Sequence, residues 1–263
     1  MLVVFALGAL AVYGSQLRRV VREGGKVRVG ALGFPELLMS VVFAGFFALL
    51  TAAAAMAHYD HPAPEVNIDS VLPNSYKFIM FTVGIAGFIR FRGQPLRHTF
   101  GFDQISLLPA LGWAFALILA AFPIAGAANA LTVIVLHGRV EPQPLVDLFI
   151  KVARQHDFGA MSKILISAVF LQPVCEEFLF RGFFYGVWKR YLGGIPAVLL
   201  ASSLFAGFHG SLTALAGLFV LAICLNIAYE RTGSLLVPMV MHALFNLTSL
   251  LFIYAQAQSS GAH

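Results

Sequence analysis

Two adjacent glutamates, Glu176 and Glu177, lie in an otherwise apolar stretch that is long enough to cross a membrane. Arg181 follows Glu177 by four residues. A charge near the centre of a bilayer costs about 2.5–3.5 kcal/mol on insertion scales, so such residues face a protein or water-lined interior and indicate a function. Glu177 and Arg181 share a helix face and are predicted to form a structural ion pair. Glu176 lies about 100° around the helix and is free to face another group.

His209, His242 and Asn246 are the other strongly polar residues in the apolar C-terminal region. A turn at Gly193 separates the helices that carry Glu176 and His209, and these two residues are nearly equidistant from it. At about 1.5 Å per residue both lie about 25 Å from the turn, so their side chains can meet in an antiparallel hairpin.

The helix that begins near Ser234 places His242 and Asn246 about 12–18 Å from its start, on one face. If the turn at Gly193 extends beyond the headgroups, Glu176, His209, His242 and Asn246 share one layer. The sequence therefore predicts a single polar cavity that is open to the cytoplasmic half of the membrane.

These four side chains are sufficient for hydrolysis. Glu176 can act as general base on a water, and His209 can orient that water or share its proton. His242 and the Asn246 amide are suitable donors for the oxyanion that forms when water attacks a carbonyl. Zinc held by Glu176, His209 and His242 is the alternative, although the common His-Glu-x-x-His signature does not occur in the sequence.

The composition predicts an all-α fold, a polytopic transmembrane bundle of about eight helices. Of the 263 residues, 59% are hydrophobic and 11% are charged, and the mean hydropathy is +0.85. The predicted spans are 2–16, 37–57, 74–89, 105–136, 161–188, 195–210, 212–229 and 234–256, with a break at Pro123 in the fourth. The first span is interpreted as an uncleaved anchor, because its basic run follows the apolar stretch.

The net charge of +5 does not indicate nucleic-acid binding, because the basic residues are grouped in alternate connections. The grouped residues are Arg18, Arg19, Arg22, Lys26 and Arg28, then Arg90, Arg92 and Arg97, then Lys189 and Arg190, then Arg231. The positive-inside rule predicts that these connections are cytoplasmic. The expected location is a bacterial plasma membrane. The connections His58–Pro73, with Asp60, Glu65 and Asp69, and His137–Ala160, which mixes Arg139 and Glu141 among others, are predicted outside. Leu145–Ala153 in the latter is predicted to be an interfacial amphipathic helix.

One integral membrane domain is predicted, in three parts. Residues 1–160 are N-terminal transmembrane helices and loops without a motif, 161–256 are the catalytic core helices, and 257–263 are a polar tail. Cys175 and Cys224 both fall within spans, which favours small buried side chains over a disulfide or a thiol zinc site.

Three short motifs, in order, resemble those of the CPBP family of intramembrane proteases, which includes the type II CAAX prenyl endopeptidases. Residues 176–181 fit EExxxR, residues 205–209 fit FxxxH, and residues 242–246 fit HxxxN. The resemblance implies that Glu176 and His209 activate water, that His242 and Asn246 form the oxyanion site, and that Glu177 and Arg181 support the glutamate helix. It also implies a glutamic-type peptidase without a catalytic metal.

We therefore expect an intramembrane endopeptidase, in contact with lipid, that cuts CAAX-like or maturing peptide substrates entering from the cytoplasmic half. The alternative is a non-proteolytic scaffold or immunity protein that binds a partner through the same cavity. A transporter is less favoured, because no paired halves or matched broken helices are visible.

Overall fold

Helices account for all regular secondary structure in the part of the chain that the computed structural model describes, residues 2–60, 66–137 and 143–259. They are α1 (Leu2–Glu23), α2 (Phe34–Asp60), α3 (Ile68–Phe91), α4 (Leu96–Thr99), α5 (Leu107–Val135), α6 (Pro144–Arg154), α7 (Phe158–Leu192), α8 (Gly194–Phe208), α9 (Leu215–Thr232) and α10 (Leu236–Ser259). The predicted all-α polytopic bundle is confirmed. The eight longest helices correspond in order to the eight predicted spans.

Five of the described helices are long and apolar enough to cross a membrane. These are α2 over Phe34–Ala53, α5, α7, α9 and α10, while α8 is apolar but shorter. Large apolar side chains such as Leu49, Phe115 and Leu119 are exposed on the outside of the bundle, as a lipid-facing surface requires. The chain is therefore an integral, multi-pass membrane protein, and the count of eight spans is approximate.

Several predicted boundaries were wrong, because the helices continue into polar sequence. Arg18, Arg19 and Arg22 lie in the last turns of α1 rather than in a connection, and α3 begins at Ile68 rather than at residue 74. Long basic side chains can reach the headgroup region while the backbone remains helical. α10 likewise continues to Ser259, within the predicted polar tail. Glu65, Arg139, Glu141 and residues 260–263 lie outside the described residues.

The predicted break at Pro123 was also wrong. α5 runs without interruption from Leu107 to Val135 with Pro123 inside it. Proline is tolerated within transmembrane helices, where neighbouring groups and local adjustments satisfy the backbone carbonyl it leaves free. Ala121 and Ala125 on either side of the proline are buried against the rest of the bundle, so packing holds this part of the helix in place.

The predicted amphipathic segment forms α6, and its apolar face is covered by protein. Phe149, Val152 and Ala153 are buried in a cluster that includes Ile164 of α7 and Leu250 of α10. Gln258 Nε2 donates a hydrogen bond to the Ala153 carbonyl at 3.0 Å. α6 therefore packs against the C-terminal half of α10, where the sequence alone predicted contact with lipid headgroups.

The N-terminal helices are an integral part of the bundle. α5 packs along α1, α9 and α10, and α2 packs on α8. The turn after α4 contacts the turn between α9 and α10, where the Leu235 amide donates to the Phe100 carbonyl at 3.0 Å. Gly101, with a φ of +70°, leaves no room for a side chain: a Cβ there would lie 1.8 Å from the Gly233 carbonyl oxygen. The start of α10 is therefore fixed by the N-terminal half of the chain.

α7 changes its winding on either side of the two glutamates. Its Gln172–Glu177 segment is α-helical, and the flanking segments Ile166–Leu171 and Phe178–Tyr185 are π-helical. π-Helical turns are rare and frequently occur at functional sites. Pro173 lies at the junction between the first π-helical segment and the glutamates.

Candidate active site

Glu176 stands between two histidines that come from two other parts of the bundle. Its Oε2 atom is 3.9 Å from His209 Nε2, just after the end of α8, and 3.9 Å from His242 Nε2 on α10. The predicted meeting of Glu176 with His209 across the α7–α8 hairpin is confirmed by this geometry. His242 joins the same group, so one carboxylate oxygen faces two imidazoles.

The level of this group within the bundle follows from the start of α10. Leu235 packs on Gly182, where a Cβ would lie 3.2 Å from Leu235 Cδ2. Gly182 precedes Gly193 by eleven residues, so the α7–α8 turn extends roughly 16 Å beyond the start of α10. Glu176 and His242 then lie about 9–10 Å from this common level, on neighbouring helices. The sequence predicts that the four residues share one layer if the turn at Gly193 extends beyond the start of the last helix, and the structure has this arrangement.

His209 is held in one orientation by its own helix. Its Nδ1 atom is 2.8 Å from the Phe205 carbonyl oxygen. Because a carbonyl only accepts, Nδ1 carries the proton, and in the neutral ring Nε2 is left as an acceptor facing Glu176. His209 is therefore oriented to take a proton at Nε2.

Glu177 binds two partners through one oxygen. Its Oε1 atom accepts from Arg181 Nη1 at 2.8 Å and lies 2.8 Å from His242 Nδ1. All three side chains are at most 3% exposed. The predicted pair of Glu177 and Arg181 is present, whereas no feature of the sequence indicated the contact with His242.

Phe205 packs the basic groups of the site together. The Arg181 guanidinium carbon lies 4.2 Å from the centre of its ring, in the geometry of a cation–π contact. The His209 and His242 rings lie 4.6 and 5.7 Å from the same ring centre. Phe205 is the first residue of the FxxxH motif, and sequence reasoning assigned it no role.

Several buried polar atoms of the site have no hydrogen-bond partner among the described residues. They are Glu176 Oε2, Glu177 Oε2, Arg181 Nε and Arg181 Nη2. A buried polar atom without a partner is costly and calls for an explanation. Glu176 Oε2 faces two imidazoles at distances too long for direct hydrogen bonds, which is the arrangement expected of an acceptor for a small polar molecule.

The Asn246 amide N–H donates to the backbone and not to another predicted site residue. Its Nδ2 atom donates to the Ala168 carbonyl on α7 at 2.8 Å. Asn246 follows His242 by one turn of α10. The structure thus brings Glu176, Glu177, Arg181, His209 and His242 into one connected group and leaves Asn246 bound to the backbone beside it.

The donors around Glu176 are also of the types that zinc uses. Within residues 2–60, 66–137 and 143–259, no group of three or more His, Cys, Asp or Glu side chains has an arrangement suited to a metal ion. Cys175 and Cys224 are buried free thiols.

The part of the chain that contains this site matches a known protein family. Residues 160–248 match the family described as type II CAAX prenyl endopeptidase Rce1-like. This part of the chain is similar to the Rce1-like family. The Rce1-like region contains all six predicted site residues and the whole group around Glu176.

A relative in Escherichia coli, an uncharacterized 24.3 kDa protein, is 33% identical over 94 residues. The match covers 34% of this chain and 43% of the relative, so it spans less than half of that protein. No solved structure gives a significant match.

Proposed function

We propose that the protein is an intramembrane endopeptidase in which Glu176, assisted by His209, activates a water to hydrolyse a peptide bond. The observation that carries this proposal is the position of Glu176 Oε2, an unpaired buried oxygen 3.9 Å from two imidazole Nε2 atoms. The Rce1-like family supports a protease of the CAAX type.

In the first step, a water bound between Glu176 and the imidazoles loses a proton and attacks the carbonyl carbon of the substrate. Glu176 is the proposed general base, and His209 Nε2 accepts a hydrogen bond from the same water. Burial of the group excludes other water and fixes the attacking molecule near its target. The products of this step are a protonated carboxyl and a tetrahedral oxyanion.

His242 is the proposed donor to that oxyanion. Because its Nδ1 atom faces Glu177, its Nε2 atom donates only when the ring is an imidazolium. Glu177 supplies one negative charge beside the two cations, Arg181 and the imidazolium, and the oxyanion itself supplies the second. An aimed donor of this kind contributes about 2.7–4 kcal/mol to the stability of a transition state.

In the second step the tetrahedral intermediate collapses and the C–N bond breaks. The proton held by Glu176 passes to the departing amine, so that one water is consumed and a carboxylic acid and an amine are formed; on release these ionise to a carboxylate and an ammonium. Glu176 returns to its ionised form without a covalent intermediate.

The substrate and the side of entry are part of the proposal. His242 lies about 10 Å from the start of α10. That start follows Arg231 closely in the chain, and Lys189 pairs at 2.6 Å with Glu230, the neighbour of Arg231. With these basic ends in the cytoplasm, a peptide reaches Glu176 from the cytoplasmic half of the membrane. CAAX-like tails and maturing peptides are the proposed substrate classes.

The test compares new peptide N- and C-termini in membranes that contain the wild type or Glu176→Gln at equal expression. The substitution keeps the shape of the side chain and removes the base, so we expect the termini to vanish. Asp69→Asn, the same chemical change at an exposed carboxylate outside the site, should retain them. If every terminus persists in Glu176→Gln, the protease proposal fails, and a cavity that binds a partner without cleaving it becomes the better interpretation.

A further inference from the structure

The carbonyl of Ala168 on α7 is left without a donor from its own helix. In an α-helix the amide four residues on would bind it, but the Gln172 amide donates instead to Ser167, five residues back. In a π-helix the amide five residues on would bind it, but residue 173 is proline and has no N–H. Pro173 therefore frees this carbonyl at the junction between the π-helical turn and the glutamates.

Asn246 supplies the missing donor from α10. Its Nδ2 atom lies 2.8 Å from the Ala168 oxygen, and Ala168 is 6% exposed. A buried backbone carbonyl without a partner destabilises the folded state. The hydrogen bond thus joins two transmembrane helices at a point where one of them lacks an internal bond.

This contact lies where it can set the geometry of the site. Asn246 follows His242 by one turn on the same face of α10, and Ala168 precedes Glu176 by eight residues on α7. His242 bridges the same two helices through Glu177 Oε1 at 2.8 Å. Two hydrogen bonds one turn apart hold α10 in both position and rotation against α7.

We propose that Asn246 is a positioning residue: its amide caps the carbonyl that Pro173 leaves free and thereby keeps His242 Nε2 facing Glu176. This assigns the amide a role in the resting protein, which differs from the transition-state role that the motif resemblance implies. The catalytic consequence rests on the proposed peptidase function, whereas the contact between the helices does not.

The test is a double-mutant cycle of Pro173→Ala and Asn246→Ala. Alanine at position 173 restores an N–H that can bind Ala168, so the amide of Asn246 becomes dispensable. Asn246→Ala alone should lower kcat about 100-fold, the effect of misplacing a catalytic group by about 1 Å, with little change in KM. We expect the kcat of the double variant to be at least tenfold higher than that of Asn246→Ala alone. An equal loss in both backgrounds would overturn the proposal, because an oxyanion donor is needed whatever residue stands at 173.

A second readout requires no turnover. The same cycle is measured in the Glu176→Gln background as the midpoint of thermal unfolding in detergent. Asn246→Ala should lower the midpoint when residue 173 is proline, and lower it less when it is alanine. An unchanged midpoint with proline would refute the contact. Since this measurement uses inactive protein, it remains decisive even if the wild type proves to cleave nothing.

If Pro173→Ala does not accumulate, a pair of substitutions at position 246 decides the question. In the Glu176→Gln background, Asn246→His keeps an N–H donor near the position of Nδ2, whereas Asn246→Asp keeps the size and removes the donor. We expect the histidine variant to unfold at the higher temperature. Equal midpoints would contradict a capping role.

Discussion

His242 Nδ1 lies 2.8 Å from Glu177 Oε1, the same oxygen that accepts from Arg181. The two adjacent glutamates therefore have separate environments. Glu177 is enclosed by a guanidinium and an imidazole, while Glu176 presents an unpaired oxygen to two Nε2 atoms. Glu177 connects the ion pair within α7 to the imidazole on α10.

Glu177→Ala should reduce both folded protein and activity. The substitution leaves Arg181, which is 1% exposed, as a buried charge without its partner, and breaking such a pair costs about 3–5 kcal/mol. It also removes the acceptor at His242 Nδ1. The yield of monodisperse protein and its thermal midpoint in detergent measure the first effect, and the rate of cleavage per folded molecule measures the second.

The double variant Glu177→Ala/Arg181→Leu separates these two effects. Because it also removes the unpaired charge, it should recover most of the folded yield. Its activity should remain low, since His242 still lacks the carboxylate. Recovery of full activity would show that Glu177 serves only to neutralise Arg181.

His209→Asn should abolish cleavage while the protein remains folded. Asparagine can keep an N–H near the position of Nδ1, which donates to Phe205, and it lacks the Nε2 atom that faces Glu176. Loss of a positioned acid–base group costs about 10²–10⁴-fold. Single-turnover cleavage at matched amounts of folded protein measures this. Activity within threefold of the wild type would contradict the role of His209 in activating water.

Much of the site could be predicted because it depends on distances along a helix. Glu176 and His209 are nearly equidistant from Gly193, and a tight hairpin brings such residues together. The pair of Glu177 and Arg181 follows from a spacing of four residues. The all-α class follows from composition, because only helices among open structures satisfy every backbone polar group within lipid.

The remaining contacts depend on how far one helix is shifted along its axis relative to its neighbour. The periodicity of apolar residues in the sequence carries no information about this shift. His242 meets Glu177 because α10 begins at the level of Gly182, and that start is fixed by Phe100 in the N-terminal half. Asn246 meets Ala168 because α7 changes its winding there, and the apolar residues of a π-helical turn look like those of an α-helix. Sequence reasoning therefore named the residues that the structure brings together and missed two of the hydrogen bonds that position them.

Cleavage should survive removal of divalent metals. We propose that a carboxylate and two imidazoles suffice to activate one water, with no ion required. Membrane protein treated with a strong zinc chelator and then freed of it should cleave at the rate of untreated protein. A loss of activity that zinc alone restores, together with one bound zinc per wild-type chain and none in Glu176→Gln, would establish the metal-dependent alternative at Glu176, His209 and His242.

Gly101→Ala should destabilise the protein more than Gly93→Ala. Both glycines have a positive φ, +80° at Gly93 and +70° at Gly101. Alanine at either position therefore costs about 1–2 kcal/mol in backbone strain. A Cβ at Gly93 meets nothing within 4 Å, whereas one at Gly101 would lie 1.8 Å from the Gly233 carbonyl oxygen. Alanine at 101 must therefore push the α4 turn away from the start of α10 and shift His242 relative to Glu177. We expect a lower thermal midpoint and lower activity per folded molecule for Gly101→Ala, and near wild-type activity for Gly93→Ala. Equal effects of the two substitutions would show that the contact between these turns does not position α10.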